Sequence, residues 1–335
     1  VDKAVAMLRE YECNTFLVGV KLPTQIEERE DEFKAEFGIQ YGESIRNEFS
    51  RVIGKSIAKI VNRSVDYVKP EVVIVVNPFV AEIELHVNPL FIMGLYRKLK
   101  RGIPQSILFC PKCRGKGCPR CNGTGKAYPE SVEELISGPT LKETLGEDAS
   151  FHAAGREDID ARMLGRGRPF IIEIKKPRKR SLNLRELEQV IKREAQGKIR
   201  VSNLRLADKE ALKKLKQIEG SEKSYRVVVK FDRAILNEEL EALERTFTNA
   251  AIHQQTPSRV LHRRKDLTRE KYIYKTDVRR LTKKTIEMRI RCQGGLYIKE
   301  LITGDGGRTN PSVSDIIKAE ATPLELDVLG VFTRK

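Results

Sequence analysis

Two stretches of this chain hold side chains whose types and spacing could do chemistry. In Phe151 to Phe170, three acids (Glu157, Asp158 and Asp160), four arginines and three glycines are packed together. Glycine lets a backbone approach a ligand closely, and arginine suits phosphate. A carboxylate among cations is held ionised, the state a nucleophile requires. The same composition also describes a surface loop whose aspartates cap a turn, and composition leaves both readings open.

The second stretch is an eight-residue unit repeated twice, Cys110-Pro-Lys-Cys113-Arg-Gly-Lys-Gly117 and Cys118-Pro-Arg-Cys121-Asn-Gly-Thr-Gly125. Each Cys-x-x-Cys turn presents two thiolates to one ion, and two such turns complete a tetrahedral four-thiolate zinc site with no open position. Cys110, Cys113, Cys118 and Cys121 are therefore expected to hold a structural zinc. No catalysis is assigned to it. The other two of the six cysteines, Cys13 and Cys292, stand alone, a distribution that points to metal in a reducing cytosol rather than to a disulfide framework. The two half-units resemble the cysteine-rich repeats of DnaJ-type chaperones, although one pair does not make a chaperone.

Later segments offer partners for the acidic loop. Ser224-Tyr225-Arg226 opens a predicted strand, and a tyrosine there can stack on a base and exchange a proton. Gln254 to Arg264 is a polar turn that leads into the cations Arg259, Arg263 and Arg264, a run suited to phosphates or to plain solvent. His253 and His262 lack metal spacing. Gly294 to Leu301 passes from a strand into a short helix, from which Lys299 can reach back to a carboxylate. The loop from Gly304 to Thr309 fits neither the dinucleotide fingerprint nor the Walker pattern.

The elements that must position these residues are legible in outline. Ile45, Phe49, Val52, Ile53, Ile57 and Ile60 form one helical stripe. Val72 to Val76 reads as a buried strand, and Ile83, Leu85 and Val87 alternate with polar residues as a half-buried one. The basic exit Tyr96 to Arg101 reads as a helix end or as a surface that follows an RNA backbone. Ser131 to Glu134 is a capping box, and the helix it opens should end or bend at Gly138-Pro139. Asn183 to Glu186 opens another helix. Strands follow at Ile199 to Leu206, Tyr225 to Phe231 and Ile286 to Cys292, with a helix around Leu236 to Leu243.

With 335 residues, two or three domains are expected. The net charge of +16, from 63 basic and 47 acidic residues spread along the chain, favours a polyanionic partner, most simply nucleic acid. No apolar run approaches the roughly 20 residues of a membrane helix, and no signal-peptide pattern is present. The chain starts at Val1 rather than Met, so an N-terminal piece is expected to be missing.

Taken in order, Gly155-Arg156-x-Asp158, Lys223-x-Tyr225-Arg226 and Gly295-x-Tyr297-Ile298-Lys299-x-Leu301 resemble the motifs of pseudouridine synthases. Add the cysteine pairs, Thr256-Pro257-x-Arg259-Val260-Leu261-His262-Arg263-Arg264 and Leu324 to Val328, and the chain resembles the archaeal and eukaryotic tRNA pseudouridine synthase ten family. The resemblance implies an α+β protein. Residues 1–104 would form a THUMP-like α/β RNA-binding module, 105–126 a small four-cysteine zinc element, and 127–335 a catalytic core of mixed, mainly antiparallel sheet flanked by helices.

The implied activity is isomerisation of uridines 54 and 55 in the tRNA T arm, in the cytoplasm, by base flipping. No organic cofactor is expected. Asp158 matches the family's essential nucleophile or base, and Asp160 is the lesser candidate. Arg156 is expected at the flipped nucleotide or its phosphate. Tyr225 should stack under the uracil, and Lys299 should pair with the aspartate. Leu296 and Ile298 should wall the pocket, with Arg259, His262, Arg263 and Arg264 binding substrate. A non-catalytic, zinc-containing RNA adaptor or chaperone is the alternative that the residues leave open.

Overall fold

The computed structural model of the chain describes residues 1–332. Two compact units emerge from it. One comprises Val1–Phe91, Ser137–Ser150 and Ile172–Leu187, and the other Ile92–Ile136, Phe151–Ile171 and the chain from Glu188 onward.

The first unit runs α1 (Asp2–Arg9), β1 (Thr15–Val20), α2 (Thr24–Glu36), α3 (Ile45–Val61), β2 (Ser64–Val65), β3 (Val72–Asn77) and β4 (Glu82–Val87). Its sheet has the order β2-β1-β3-β4, with β1 parallel to β2 and β3, and β4 antiparallel to β3. Leu8, Phe16, Val18, Ile57, Val72 and Ile74 make its core. Ser44 caps α3 by accepting the Asn47 N–H at 3.2 Å, and Asn62 ends the helix in the left-handed region. The predicted stripe of α3 is only partly inward. Ile57 is buried, while Ile45, Phe49, Val52 and Ile60 remain exposed, because the close packing at Gly54 and Ile57 turns that line of the helix toward β1.

The chain continues with β5 (Leu90–Lys98), α4 (Val132–Thr144), β6 (Asp148–Ala153), β7 (Arg162–Lys175), α5 (Leu184–Glu194), β8 (Ile199–Ala207) and α6 (Lys209–Gln217). Then come β9 (Glu222–Phe231), α7 (Asn237–Phe247), β10 (Ala250–Gln255), β11 (Thr268–Thr282), β12 (Thr285–Cys292), α8 (Ile298–Thr303), β13 (Thr309–Asn310), α9 (Val313–Ile317) and β14 (Ala321–Phe332). A ten-stranded sheet has the path β13-β10-β11-β12-β9-β14-β7-β5-β8, with β6 beside β7. From β13 to β14 every pairing is antiparallel, and β14 meets β7 in parallel. The protein is thus α+β with a mixed sheet, as the sequence predicts. No helix among the described residues is long and apolar enough to cross a membrane.

Period-two alternation decides what each face of this sheet carries. On β9, Val227, Val229 and Phe231 share a face with Ile286, Met288 and Ile290 of β12, and Leu243, Phe247, Leu301 and Ile302 of the helices join them in one core. Tyr225 sits at the end of that apolar row, opposite Ile290. The other face carries charge. Arg162, Asp327, Arg226, Arg289 and Asp277 are successive cross-strand partners over five strands. Asp327, with its side chain fully buried, accepts from Arg162 at 2.9 and 2.8 Å, from Arg101 at 2.7 Å and from Arg226 at 3.0 Å. Glu287, also buried, accepts from Arg226 at 2.6 Å and from Arg279 at 3.1 Å.

Burial pushes both carboxyls up, but Arg162 and Arg101 around Asp327, and Arg226 and Arg279 around Glu287, outweigh it and leave both below the ordinary carboxylate range. A carboxyl whose folded value is depressed adds stability above its unfolded value of about 4 and loses that contribution as pH falls through the folded value. The melting temperature should therefore be level from neutral to about pH 5 and drop below about pH 4. Melts of Asp327→Asn at the same pH values should start lower and lose less on acidification. An equal acid loss in both proteins contradicts this account.

Two local expectations are met only in part. Helix α4 runs through Gly138-Pro139 instead of ending there. The proline removes one backbone bond, but Val132, Ile136 and Thr140 are buried on either side of it, and that packing holds the helix. Tyr96 to Lys98 end strand β5 rather than a helix, with Tyr96 and Lys98 fully buried, while Lys100 beyond them is exposed.

Candidate active site

The loop from Ala154 to Ala161 joins β6 to β7 and presents Asp158. Beneath it lies a polar network. Lys98 Nζ donates to the carbonyls of Ile103, Asp158 and Ile159 at 2.8, 3.0 and 3.2 Å. Glu157 turns inward, accepting from the Tyr96 hydroxyl at 3.1 and 2.9 Å and from Arg168 Nε at 2.9 Å. Arg168 Nη1 also donates to the Ala154 carbonyl at 2.6 Å. Gln105 Nε2 donates to the Tyr96 oxygen at 2.6 Å and to the Gly155 carbonyl at 3.0 Å.

A buried charge is tolerable only when paired. Burial works against the charge of Arg168, but the Glu157 carboxylate more than offsets it and raises its pKa. Burial lowers that of Lys98, with Glu157 pulling the other way. Burial and Glu157 together push the Tyr96 phenol well up. Two acids one residue apart thus part company, with Glu157 locked below and Asp158 offered above.

The cations beside Asp158 do not come from its own loop, as its local composition suggests. Arg162 turns away to Asp327. Arg259, from the turn Ser258–Arg263, approaches the two carboxylate oxygens of Asp158 at 3.5 and 3.3 Å, and Lys299 Nζ lies 3.3 Å from Oδ2. Lys299 makes closer contacts, both 2.7 Å, with the exposed Asp160. Burial raises the Asp160 carboxyl, and Lys299 outweighs that to leave it lowered. Arg259 Nε donates to Glu300 at 2.6 Å, and its guanidinium carbon lies 5.7 Å from the centre of the Tyr297 ring. Arg264 Nη1 donates to the Tyr297 hydroxyl at 3.0 Å.

These groups surround a cavity of about 370 Å³, within the range of small-molecule clefts. Arg156, Asp158, Tyr225, Arg259, Arg263, Arg264, Leu296, Ile298 and Lys299 all line it. His262 stands exposed on the same turn as Arg259 and does not line it. Burial pushes the Tyr225 phenol up, Cys292 and Asp158 add to that and Arg168 opposes it, so the ring is a neutral phenol at physiological pH. Further wall cations, Lys223, Arg269 and Lys271, were not singled out as site residues from the sequence. Alternation along β9 offers a signal for Lys223, since it shares a strand face with Tyr225. Glu300 gave no signal beyond its place next to Lys299.

The four cysteines of the repeated unit come together, their sulfurs all within 4.8 Å of one another. Sγ–Sγ distances of 3.9, 3.8 and 3.7 Å join Cys110 to Cys118, Cys113 to Cys121 and Cys118 to Cys121. A tetrahedral ion with metal–sulfur bonds of about 2.3 Å requires about 3.8 Å between thiolates, so the donor set fits. Backbone N–H groups of Cys118 and Gly125 point at the Cys121 sulfur, each at 3.2 Å. The glycines are required by close approach. A Cβ on Gly125 would lie 2.3 Å from the Gly115 carbonyl oxygen, and one on Gly117 would lie 2.7 Å from that of Gly123.

Two family models divide the chain between them. "Pus10 THUMP domain, archaeal" matches residues 1–77, and "Pus10, C-terminal" matches residues 91–331. A protein of Methanocaldococcus jannaschii named tRNA pseudouridine synthase Pus10 is 48% identical over 334 residues, covering 99% of this chain and 71% of that protein. Proteins of the same name from Methanothrix thermoacetophila and Thermofilum pendens are 41% and 42% identical, each over 98% of this chain and over 73% and 72% of their own lengths. Among solved structures, a Cbf5-Nop10-Gar1 complex aligns with 59% of this chain and 44% of its own at 15% identity, with a TM-score of 0.37 that is too low to bear on fold or function. On the identity and coverage of these relatives, the chain belongs to the Pus10 family of tRNA pseudouridine synthases.

Proposed function

We propose that this protein isomerises uridine to pseudouridine in the T arm of tRNA, at positions 54 and 55, working in the cytoplasm. In this reading residues 1–104 bind RNA, 105–126 hold the metal, and 127–335 carry out the reaction. The observation that supports it most is Asp158, held between Arg259 and Lys299 at the edge of a cavity that Tyr225 walls.

The reaction breaks the N1–C1′ bond, turns the uracil and joins C5 to C1′. Whether the acid attacks C1′ or takes the C2′ proton, it must enter as an anion, and Arg259 and Lys299 lie beside it as counter-charges. Drawing a base out of its stack costs a few kcal/mol. Stacking on Tyr225 contributes about 1–3 kcal/mol in return, and Arg156, Arg263 and Arg264 are suited to the phosphates on either side. As a neutral phenol, Tyr225 can accept the C5 proton only by passing its own onward, and N1 of the turned uracil takes up a proton in exchange, so C5–H is replaced by N1–H. Leu296 and Ile298, both buried, keep water from the reacting sugar.

One assay tests the reading. A tRNA transcript tritiated at uridine C5, incubated with the protein and no cofactor, should release tritium. Binding without release supports the RNA adaptor.

The ion we assign to the four cysteines is zinc, in a structural role. The purified protein should carry about one zinc per chain, and Cys113→Ser should lose it along with several degrees of melting temperature. A metal-free preparation that melts like the zinc-loaded protein contradicts this assignment.

A further inference from the structure

Asp158 is met by two cations of different kinds. Lys299 is drawn mainly to Asp160, at 2.7 Å against 3.3 Å to Asp158. Arg259 alone addresses both oxygens of Asp158. Yet the Arg259 side chain is 40% exposed, and a long exposed side chain does not keep one orientation unaided. Its anchor is Glu300, whose side chain is only 6% exposed and accepts Nε at 2.6 Å. With Nε fixed, the rigid plane of the guanidinium turns its two terminal nitrogens toward Asp158.

Glu300 has no other side-chain partner among the described residues, and its Oε2 is buried with no donor. Its one side-chain contact among those residues is thus the guanidinium that faces Asp158. We infer that Glu300 is a positioning residue for the isomerisation, acting on Asp158 through Arg259. The inference rests on the reading of the site given above. Adjacent residues of α8 then serve the same acid by two routes, Lys299 directly and Glu300 through the arginine.

A double-mutant cycle tests it: single-turnover tritium release by the wild-type protein, Glu300→Gln, Arg259→Gln and the pair, with tRNA affinity and melting temperature measured alongside. Glu300→Gln should slow release about tenfold, the scale of one hydrogen bond to a charged group, with affinity and melting unchanged. In the Arg259→Gln background the same change should add nothing. Release by Glu300→Gln at the wild-type rate, or slowing by an equal factor in both backgrounds, overturns the inference. If Glu300→Gln melts early, Glu300→Asp decides: it keeps the charge and should recover part of the lost rate, and no recovery overturns the idea. A wild-type protein that releases no tritium defeats the parent reading instead, and this inference with it.

Discussion

Asp158→Ala should give a folded protein that binds tRNA and releases no measurable tritium from it. Of the two acids among the described lining residues, Glu157 is locked inward, which leaves Asp158 as the carboxylate offered to a substrate, so in the proposed reading the loss should exceed about a thousandfold. The fold should survive. Lys98 holds the loop by the carbonyls of Asp158 and Ile159, not by the side chain, and Lys299 keeps its closer partner Asp160. Affinity for tRNA should be equal or slightly higher, since one negative charge leaves a cationic cleft. Asp158→Asn, which keeps the shape without the charge, should fail as completely. Single-turnover release together with filter binding measures both effects. Residual turnover within tenfold of wild type in either variant would remove Asp158 from the chemistry.

Arg168→Ala is expected to have the largest effect on stability of any single change proposed here. The side chain is 1% exposed and pairs with Glu157 while holding the Ala154 carbonyl. Removing it leaves Glu157 buried with a phenol and an ammonium 3.9 Å away, and opens a cavity besides. Breaking a buried ion pair from one side costs about 3–5 kcal/mol. The denaturant midpoint should fall accordingly, and tritium release should fall with it, because the loop that carries Asp158 loses its floor. Glu157→Gln should lower the midpoint as well, because it leaves the buried Arg168 and Lys98 cations without their counter-charge. A midpoint that Arg168→Ala leaves within experimental error of wild type contradicts this account.

What the sequence disclosed follows from local physics. The cysteine repeat announces its own geometry, because each ligand pair is a single turn. The strand at Val72 is legible as an unbroken apolar run, and those at Tyr225 and Ile286 from apolar residues set among charged ones. Asp158, Tyr225 and Lys299 come into view through the order of their motifs. The partners of Asp158 are another matter, since Arg259 lies 101 residues away and no local pattern joins them. The buried layer under the loop is hidden for a related reason. Tyr96 and Lys98 sit in a basic run that reads as solvent-exposed, and three backbone carbonyls with the acid at Glu157 make burial of that lysine tolerable. The same holds for Glu287, whose place between arginines reads as one more polar position on an outer face.

Arg101 grips the Asp160 carbonyl at 2.9 Å and the Leu326 carbonyl at 2.6 Å with one nitrogen, and Asp327 at 2.7 Å with the other. With Lys98 bracing the same loop, Asp158 in its proposed role has little freedom to travel. Any rearrangement during turnover therefore falls to the nucleic acid, whose backbone must swing the nucleotide to a stationary target. Sites where the uridine is already loosely stacked, or bulged out by the surrounding helix, should be served fastest, and selectivity among uridines becomes a matter of RNA deformability more than of letters read.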